Sequence, residues 1–479
     1  MSERRDFVLT APIGRAIWSL TWPIAISSQL SILTVSILLF WLGRLAGETG
    51  LVVESLFRPL GLLFGWLFAS TAVGASVLVS RSVGASDGRG LSITAGTLTL
   101  SLALWGVVAA VALPMSPQLA GVLAGGLPVE RPMLGFVIGW FAVTLPALTL
   151  AQVLLDVASA TGATRFNLVR VLVDLACMAA LVPALMQLGL GVAGGPVAEG
   201  IAALGLNVVL WLAVVRRRGA LGLGALGAGA WRIRWPLWRE LLAIGLPVQA
   251  GRIAMFAAQL ILVQRVAQDG PARVAGYGVA TALFLFGVTA TLALAEGGGI
   301  LVGQSLGAGD ADRARRGVRA MLLAGWAVMG VFVVATAFSR PIIGLFTDKP
   351  AVADAAAHAL SILRWGGFGV ATWQILLAAF AAHRATVRAG MLIISGEAVG
   401  LVVALALPGA RLDAVCIAFV AANALKAVLL LGLLATGTIA RARAKLATAG
   451  TDPSEGAGAT PNAEGAPAAP TTTAGTDGG

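Results

Sequence analysis

Two stretches, Leu78-Val-Ser-Arg-Ser-Val-Gly-Ala-Ser-Asp87 and Leu301-Val-Gly-Gln-Ser-Leu-Gly-Ala-Gly-Asp310, match at six of ten positions at an offset of 223 residues. Pro23 and Pro247 repeat at nearly the same offset, 224. Each ten-residue stretch closes a long apolar run. The chain therefore reads as a duplication, and what one half builds the other half builds again.

What each half builds follows from its apolar runs. A helix needs about 20 predominantly apolar residues to cross a bilayer. Twelve such runs occur, over 16–42, 55–80, 92–115, 133–155, 166–188, 192–215, 241–264, 274–303, 317–338, 358–381, 389–408 and 412–437. The repeated stretches end the second and the eighth runs, so six spans separate them and both halves enter the membrane from the same side. This predicts an all-α integral membrane protein with twelve transmembrane helices in two six-helix parallel repeats. Proteins built from parallel repeats bind substrate between the halves and alternate access by rocking them.

The basic residues support this map. With the N-terminus inside, 22 of the 33 Lys and Arg residues fall in inside segments and 9 in outside segments. Such a bias orients a membrane protein with both termini in the cytoplasm. The first apolar run is too long for the core of a cleaved signal peptide and reads as the first membrane helix. The expected organisation is a cytoplasmic N-terminus over 1–15, a first lobe over 16–215, a basic linker over 216–240, a second lobe over 241–440 and a cytoplasmic tail over 441–479. Trp231, Trp235 and Trp238 stand at helical spacing in the linker, as in an amphipathic helix lying on the inner surface. The tail is Ala, Gly, Pro and Thr without periodicity, a composition that predicts disorder.

Composition excludes other classes. The chain is 58% hydrophobic and 11% charged, with a mean hydropathy of +0.91; soluble domains carry roughly 25% charged residues. The net charge of +11 is spread between apolar spans rather than clustered with aromatics, so it is not a nucleic-acid footprint. Cys177 and Cys416 lie in apolar spans and read as small buried hydrophobes.

Ionisable residues inside a span are expensive, about 2.5–3.5 kcal/mol each on insertion scales, and mark function unless a neighbour explains them. Glu296 has no basic residue within one turn and is followed by Gly297, Gly298 and Gly299, which allow close approach of another backbone or a ligand. It is the leading candidate for a proton carrier, with Arg252 of the preceding span as its possible partner; a tight pair would make it a clamp instead. Arg170 and Asp174 are spaced as a local ion pair, with Asp174 deep enough to take part in transport. Asp156 reads as interfacial, near the inner end of the fourth span. Glu397 and Lys426 lie at similar depths in neighbouring antiparallel spans and predict an interhelical ion pair, which could also switch during transport. Gln29 and Gln249, near the two repeated prolines, can bond substrate or simply a neighbouring helix.

At these residues the chain resembles the multidrug and toxic compound extrusion (MATE) family. The second half carries Ile244-Gly-Leu-Pro247, Ala275-Gly-Tyr277, Leu301 to Asp310, Arg313-Ala-Arg315-Arg316 and Leu345-Phe-Thr-Asp-Lys-Pro350. The first half carries Thr21-Trp-Pro23, Gly43-Arg44 and Val83-Gly84-Ala85. The resemblance covers roughly residues 15–440 and implies a two-lobed exporter of organic, often cationic, compounds in exchange for protons or sodium ions. The chain departs from the family where coupling acids usually sit. Leu38 stands where many members carry an aspartate, five residues before the Gly-Arg pair. Ala254-Met255-Phe256 stands where one branch carries a glutamate, and Met178 and Val182 stand near an expected Asn and Asp cluster.

No P-loop, HExxH or CxxC sequence is present, so neither ATP hydrolysis nor these enzyme chemistries are expected. The function expected is secondary active export, with no cofactor and with a proton or sodium gradient as energy source. One charge moved through 100 mV supplies about 2.3 kcal/mol. Expected partners are a small-molecule substrate, the coupling cation and the lipid bilayer, with no nucleic acid, for a monomer in the cytoplasmic membrane. A lipid-linked precursor flippase of the same superfamily shares the helix count, but should present several basic residues to a pyrophosphate; only Arg252 and Lys426 lie inside spans. An intramembrane transferase would need paired acids or a catalytic histidine within a span.

Overall fold

The computed structural model describes residues 2–124, 131–216, 231–407 and 411–436. Residues 217–230 of the expected linker and the whole expected tail, 441–479, lie outside them. Among the described residues the long elements are all helices: α1 (Ser2–Thr10), α2 (Ile13–Ala85), α3 (Gly90–Ala124), α4 (Arg131–Ala160), α5 (Phe166–Leu185), α6 (Gly194–Arg216), α7 (Trp235–Ala267), α8 (Pro271–Gly307), α9 (Ala311–Thr336), α10 (Ser339–Gly344), α11 (Pro350–Ala382), α12 (Thr386–Ala406) and α13 (Arg411–Ala435).

Twelve crossings follow from these helices. Helix α2 is broken at Gly47, whose φ of +62 and ψ of −145 are not helical; this left-handed conformation suits glycine, which has no Cβ to clash. The break separates a first arm, Ile13–Gly47, from a second, Gly61–Ala85, each apolar and long enough to cross. Helices α5 and α6 are split by a single π turn at Met186–Leu190 and by positive φ at Gly189 and Gly191. The arms of α2 with α3 to α6 make six crossings. Helices α7, α8, α9, α11, α12 and α13 make the other six. Proline at the first or second position starts α7, α8 and α11, where its missing N–H removes no helical bond. Val107, Val111, Val331, Val334 and Val428 are exposed on the perimeter, as expected where acyl chains rather than water are the solvent.

The repeated motif performs the same local task twice. In the first copy Asp87 accepts from the Arg89 N–H at 2.9 Å, just ahead of α3. In the second, Asp310 caps α9 by accepting from the Arg313 N–H at 2.8 Å. We refer to the end of the bundle holding both copies as the motif end.

At the motif end the first helix of each half packs into the core of the other. Leu241 and Ile244 of α7 join Ala72, Ala75, Val153 and Val157 of the first half. Reciprocally, Ala16, Ile17 and Leu20 of α2 join Leu301, Val318 and Met321 of the second. Helix α1 lies across the same end: Arg5 donates to the Gly84 carbonyl at 3.0 Å, and Arg313 donates to the Val8 and Ala11 carbonyls, both at 2.6 Å. Three arginine bonds thus tie the N-terminal helix to both halves.

Two expectations are adjusted. Trp235 and Trp238 do not belong to a separate surface helix, because regular helix begins at Trp235 and runs unbroken to Ala267. The third crossing continues past the expected end at 115, through Pro114 and Pro117, to Ala124.

Candidate functional site

Helix α4 brings Gln152 and Asp156, one turn apart, onto a single face, where the Gln152 amide donates to the Asp156 carboxylate at 2.7 Å. From α5, Arg170 donates to the Gln152 carbonyl oxygen at 2.9 Å and to Asp174 at 3.3 Å. Arg170 therefore serves two partners. The i,i+4 pair expected with Asp174 is present, but the same guanidinium is tied through Gln152 to Asp156. Asp174 and Arg170 also line a cavity with Thr34 of α2, Met178 of α5 and Glu199 of α6.

Glu296 of α8 faces this cluster from the other half. It is exposed, whereas its neighbours Ala293, Leu294, Ala295, Gly297 and Gly298 are buried. Its carboxylate lies in electrostatic reach of Asp156 and of Arg252 on α7. It thus looks onto the space between the halves, not outward to lipid. No hydrogen bond or ion pair within 4.0 Å joins Glu296 to Arg252 among the described residues, so the clamp weighed from sequence is not formed. Arg252 is also within electrostatic reach of Asp156. The result is a charged set drawn from α4, α5, α6, α7 and α8. Asp156, Asp174, Glu199 and Glu296 stand against Arg170 and Arg252, a deficit of positive charge when all are ionised. In a low-dielectric setting such a deficit attracts a cation, whether a proton or an organic one.

The other candidates separate from this set. Lys426 of α13 and Glu397 of α12 form the expected ion pair, with side-chain exposures of 1% and 13%. The Lys426 ammonium also sits 4.9 Å from the centroid of the Trp373 ring, and Trp373 donates to Asn423 at 2.9 Å. Gln29 donates to the Thr289 hydroxyl at 2.7 Å and to the Phe286 carbonyl at 3.1 Å; it bonds a helix of the opposite half. Gln249 is fully enclosed, and neither amide atom has a hydrogen-bond partner.

Three members of the site were not found from sequence. Asp156 reads as interfacial because it is four residues from the end of its helix, but the structure turns it towards Glu296. Gln152, one turn before it, carried the available signal, since a polar pair at i,i+4 marks a polar stripe on an otherwise apolar helix. Glu199, an acid near the Gly-rich start of the sixth crossing, is the third of these members.

Comparison with known proteins bears on the fold. The MatE family model matches residues 247–407. The probable multidrug resistance protein NorM of Rhizobium meliloti is 28% identical over 178 residues, which cover 36% of this chain and 37% of that protein. The multidrug export protein MepA of Staphylococcus aureus is 23% identical over 363 residues, covering 75% of this chain and 79% of that one. Among solved structures, a MOP superfamily transporter from Pyrococcus furiosus superposes with a TM-score of 0.82 at 18% identity, covering 91% of this chain and 98% of that chain. A mutant of the Vibrio cholerae MATE transporter VcmN superposes with a TM-score of 0.78 at 16% identity, covering 88% and 95%.

Over residues 247–407 the chain resembles the MATE family.

The chain is a multi-pass membrane protein, and its departures from the family pattern have a structural counterpart. Leu38, 7% exposed, is packed in an apolar cluster with Met178, Val182 and Val192. The polar cavity begins one turn away, at Asp174. Met255 lines a pocket with Ala258, Leu262, Gln259 and Glu397. At these positions, where family members carry acids, the chain has hydrocarbon side chains, and its acids stand at other positions.

Proposed function

We propose that the protein is a secondary active exporter of small organic cations, exchanging them for protons by alternating access between lobes 16–215 and 241–440. The observation that carries this reading is Glu296, an exposed carboxylate in a buried helical stretch, facing Asp156 and Arg252 across the space between the halves. A proton and an organic cation compete for the same uncompensated negative charge, and such mutual exclusion is the basis of antiport. The names of the relatives, multidrug export and resistance proteins, support the substrate class. The lysine and arginine bias supports both termini in the cytoplasm. The flippase reading is disfavoured because a lipid pyrophosphate would meet a net negative site.

The test is transport into everted vesicles holding the full chain, with fluorescent organic cations as substrates. Accumulation should follow the proton gradient and vanish when that gradient is collapsed with the sodium gradient intact. Glu296→Gln should abolish accumulation while leaving the protein folded and inserted. Undiminished proton-driven accumulation in that variant would sink the proposal. Sensitivity to the sodium gradient alone would replace the proton by sodium.

A further inference from the structure

Away from this cluster, a pocket at the motif end is lined by residues of both halves: Arg81 and Ser82 of α2, Arg89 beside them, Glu240 of α7, Gly307 of α8 and Arg384 between α11 and α12. Arg384 reaches Glu240 at 2.5 Å. Arg81 lies in the electrostatic field of both Arg384 and Glu240. One Arg81 Nη atom and the Arg384 Nε are enclosed and have no hydrogen-bond partner. Asp87, the other acid in the wall, is already engaged by the Ser82 hydroxyl and the Arg89 N–H. Two half-buried guanidiniums therefore face the carboxylate of Glu240, with the exposed Arg89 at the rim. Arg384 holds its place with a left-handed φ of +58, a conformation that persists for a non-glycine residue only where its surroundings over-determine it.

Planar guanidinium forks with unused donors match the oxygens of a phosphate. The neighbouring surface indicates its source. Trp231, Ile233 and Trp235 are exposed on the approach to α7, interleaved with exposed Arg232, Arg234 and Arg239. Aromatic and basic residues together mark the headgroup level of a membrane, and basic pockets between helices there bind anionic headgroups.

We propose that this pocket binds a phosphate anion, supplied by the headgroup of an anionic phospholipid, which bridges the two halves while their motif ends are closed. The site is independent of the exporter reading, since its test involves no transport.

The full chain, purified in detergent and stripped of lipid, is titrated with short-chain phosphatidylglycerol, with short-chain phosphatidylcholine, and with inorganic phosphate at constant ionic strength. Thermal stability and tryptophan fluorescence are read at each point. Phosphatidylglycerol should stabilise the protein saturably and phosphatidylcholine should not. Arg81→Gln combined with Arg384→Gln should weaken the effect at least tenfold. Glu240→Gln should tighten it several-fold by releasing Arg384 from its competing carboxylate, a gain that no merely structural ion pair predicts. Saturation by inorganic phosphate in competition with phosphatidylglycerol would keep the anion site and name free phosphate as its ligand. Equal stabilisation by both lipids, no saturable response to either anion, or unchanged affinity in the folded double variant would each overturn the proposal. So would weaker binding in folded Glu240→Gln.

Discussion

Ser80 and Gly303 hold the same position in the two halves, 223 residues apart, and they touch: a Cβ on Gly303 would lie 2.2 Å from the Ser80 hydroxyl. Equivalent residues meet only where the axis relating the halves passes between them. The contacts on either side are reciprocal, as that axis requires. A Cβ on Gly84 would stand 2.0 Å from the Gln304 carbonyl oxygen, and one on Gly307 would stand 2.0 Å from that of Arg81. Gln304 is the counterpart of Arg81, and Gly307 that of Gly84. The repeated motif is therefore the place where the halves close on each other, and its glycines permit backbone to lie against backbone.

Gly307→Ala should loosen that closure. The added methyl meets a backbone carbonyl, not a side chain that can swing away, and such overpacking costs about 1–3 kcal/mol. The variant should melt at a lower temperature. A cysteine placed at the fully enclosed Ser305 should react with maleimide several-fold faster than in the otherwise unchanged protein. An unchanged labelling rate would mean that the motif ends do not depend on this contact.

The pair of Glu397 and Lys426 should show strong coupling. Lys426→Met alone leaves a largely buried carboxylate, that of Glu397, without its cation, and breaking a buried pair this way costs about 3–5 kcal/mol. Lys426→Met with Glu397→Gln removes both charges and should recover most of that loss. A double-mutant cycle on thermal stability reads the coupling directly; additive losses would contradict it.

Gln249→Leu should stabilise the protein in this conformation. The enclosed amide has no partner for either its donor or its acceptor, and leaving such a group unsatisfied costs about 1–3 kcal/mol. A leucine of similar volume removes that term, so the melting temperature should rise.

Leu38→Asp, which restores the acid that many family members carry, should not create a working coupling site. The position is packed against Met178 and Val182 with 7% exposure. An isolated carboxylate there costs on the order of 2.5–3.5 kcal/mol. Lower expression and a lower melting temperature should result, with no gain in proton-driven transport.

Much of this was legible in one dimension. Twelve crossings, two parallel halves and the equivalence of Leu78–Asp87 with Leu301–Asp310 all follow from lengths of apolar sequence and from an offset. Those properties belong to the chain whatever it packs against. The pairs of Arg170 with Asp174 and of Glu397 with Lys426 were also readable. The first is fixed by helical pitch, and the second by the depth of two adjacent antiparallel spans.

What the helices do with their remaining polar residues was decided only in three dimensions. Each residue turns a helix by about 100°, so whether Asp156 meets water, lipid or Glu296 depends on how α4 is rotated within the bundle. That rotation is set by the packing of several neighbours at once. The same holds for Arg170, which sequence pairs with Asp174 alone and the fold also ties to Gln152, and for Arg81 and Arg384, some 300 positions apart yet facing one carboxylate. The sequence by itself determined how many helices cross, in which order and with what symmetry, because hydrophobic length and repetition are local. Only the tertiary structure decided which charges confront one another, because that depends on helix rotation and partner choice, which no stretch of the chain encodes alone.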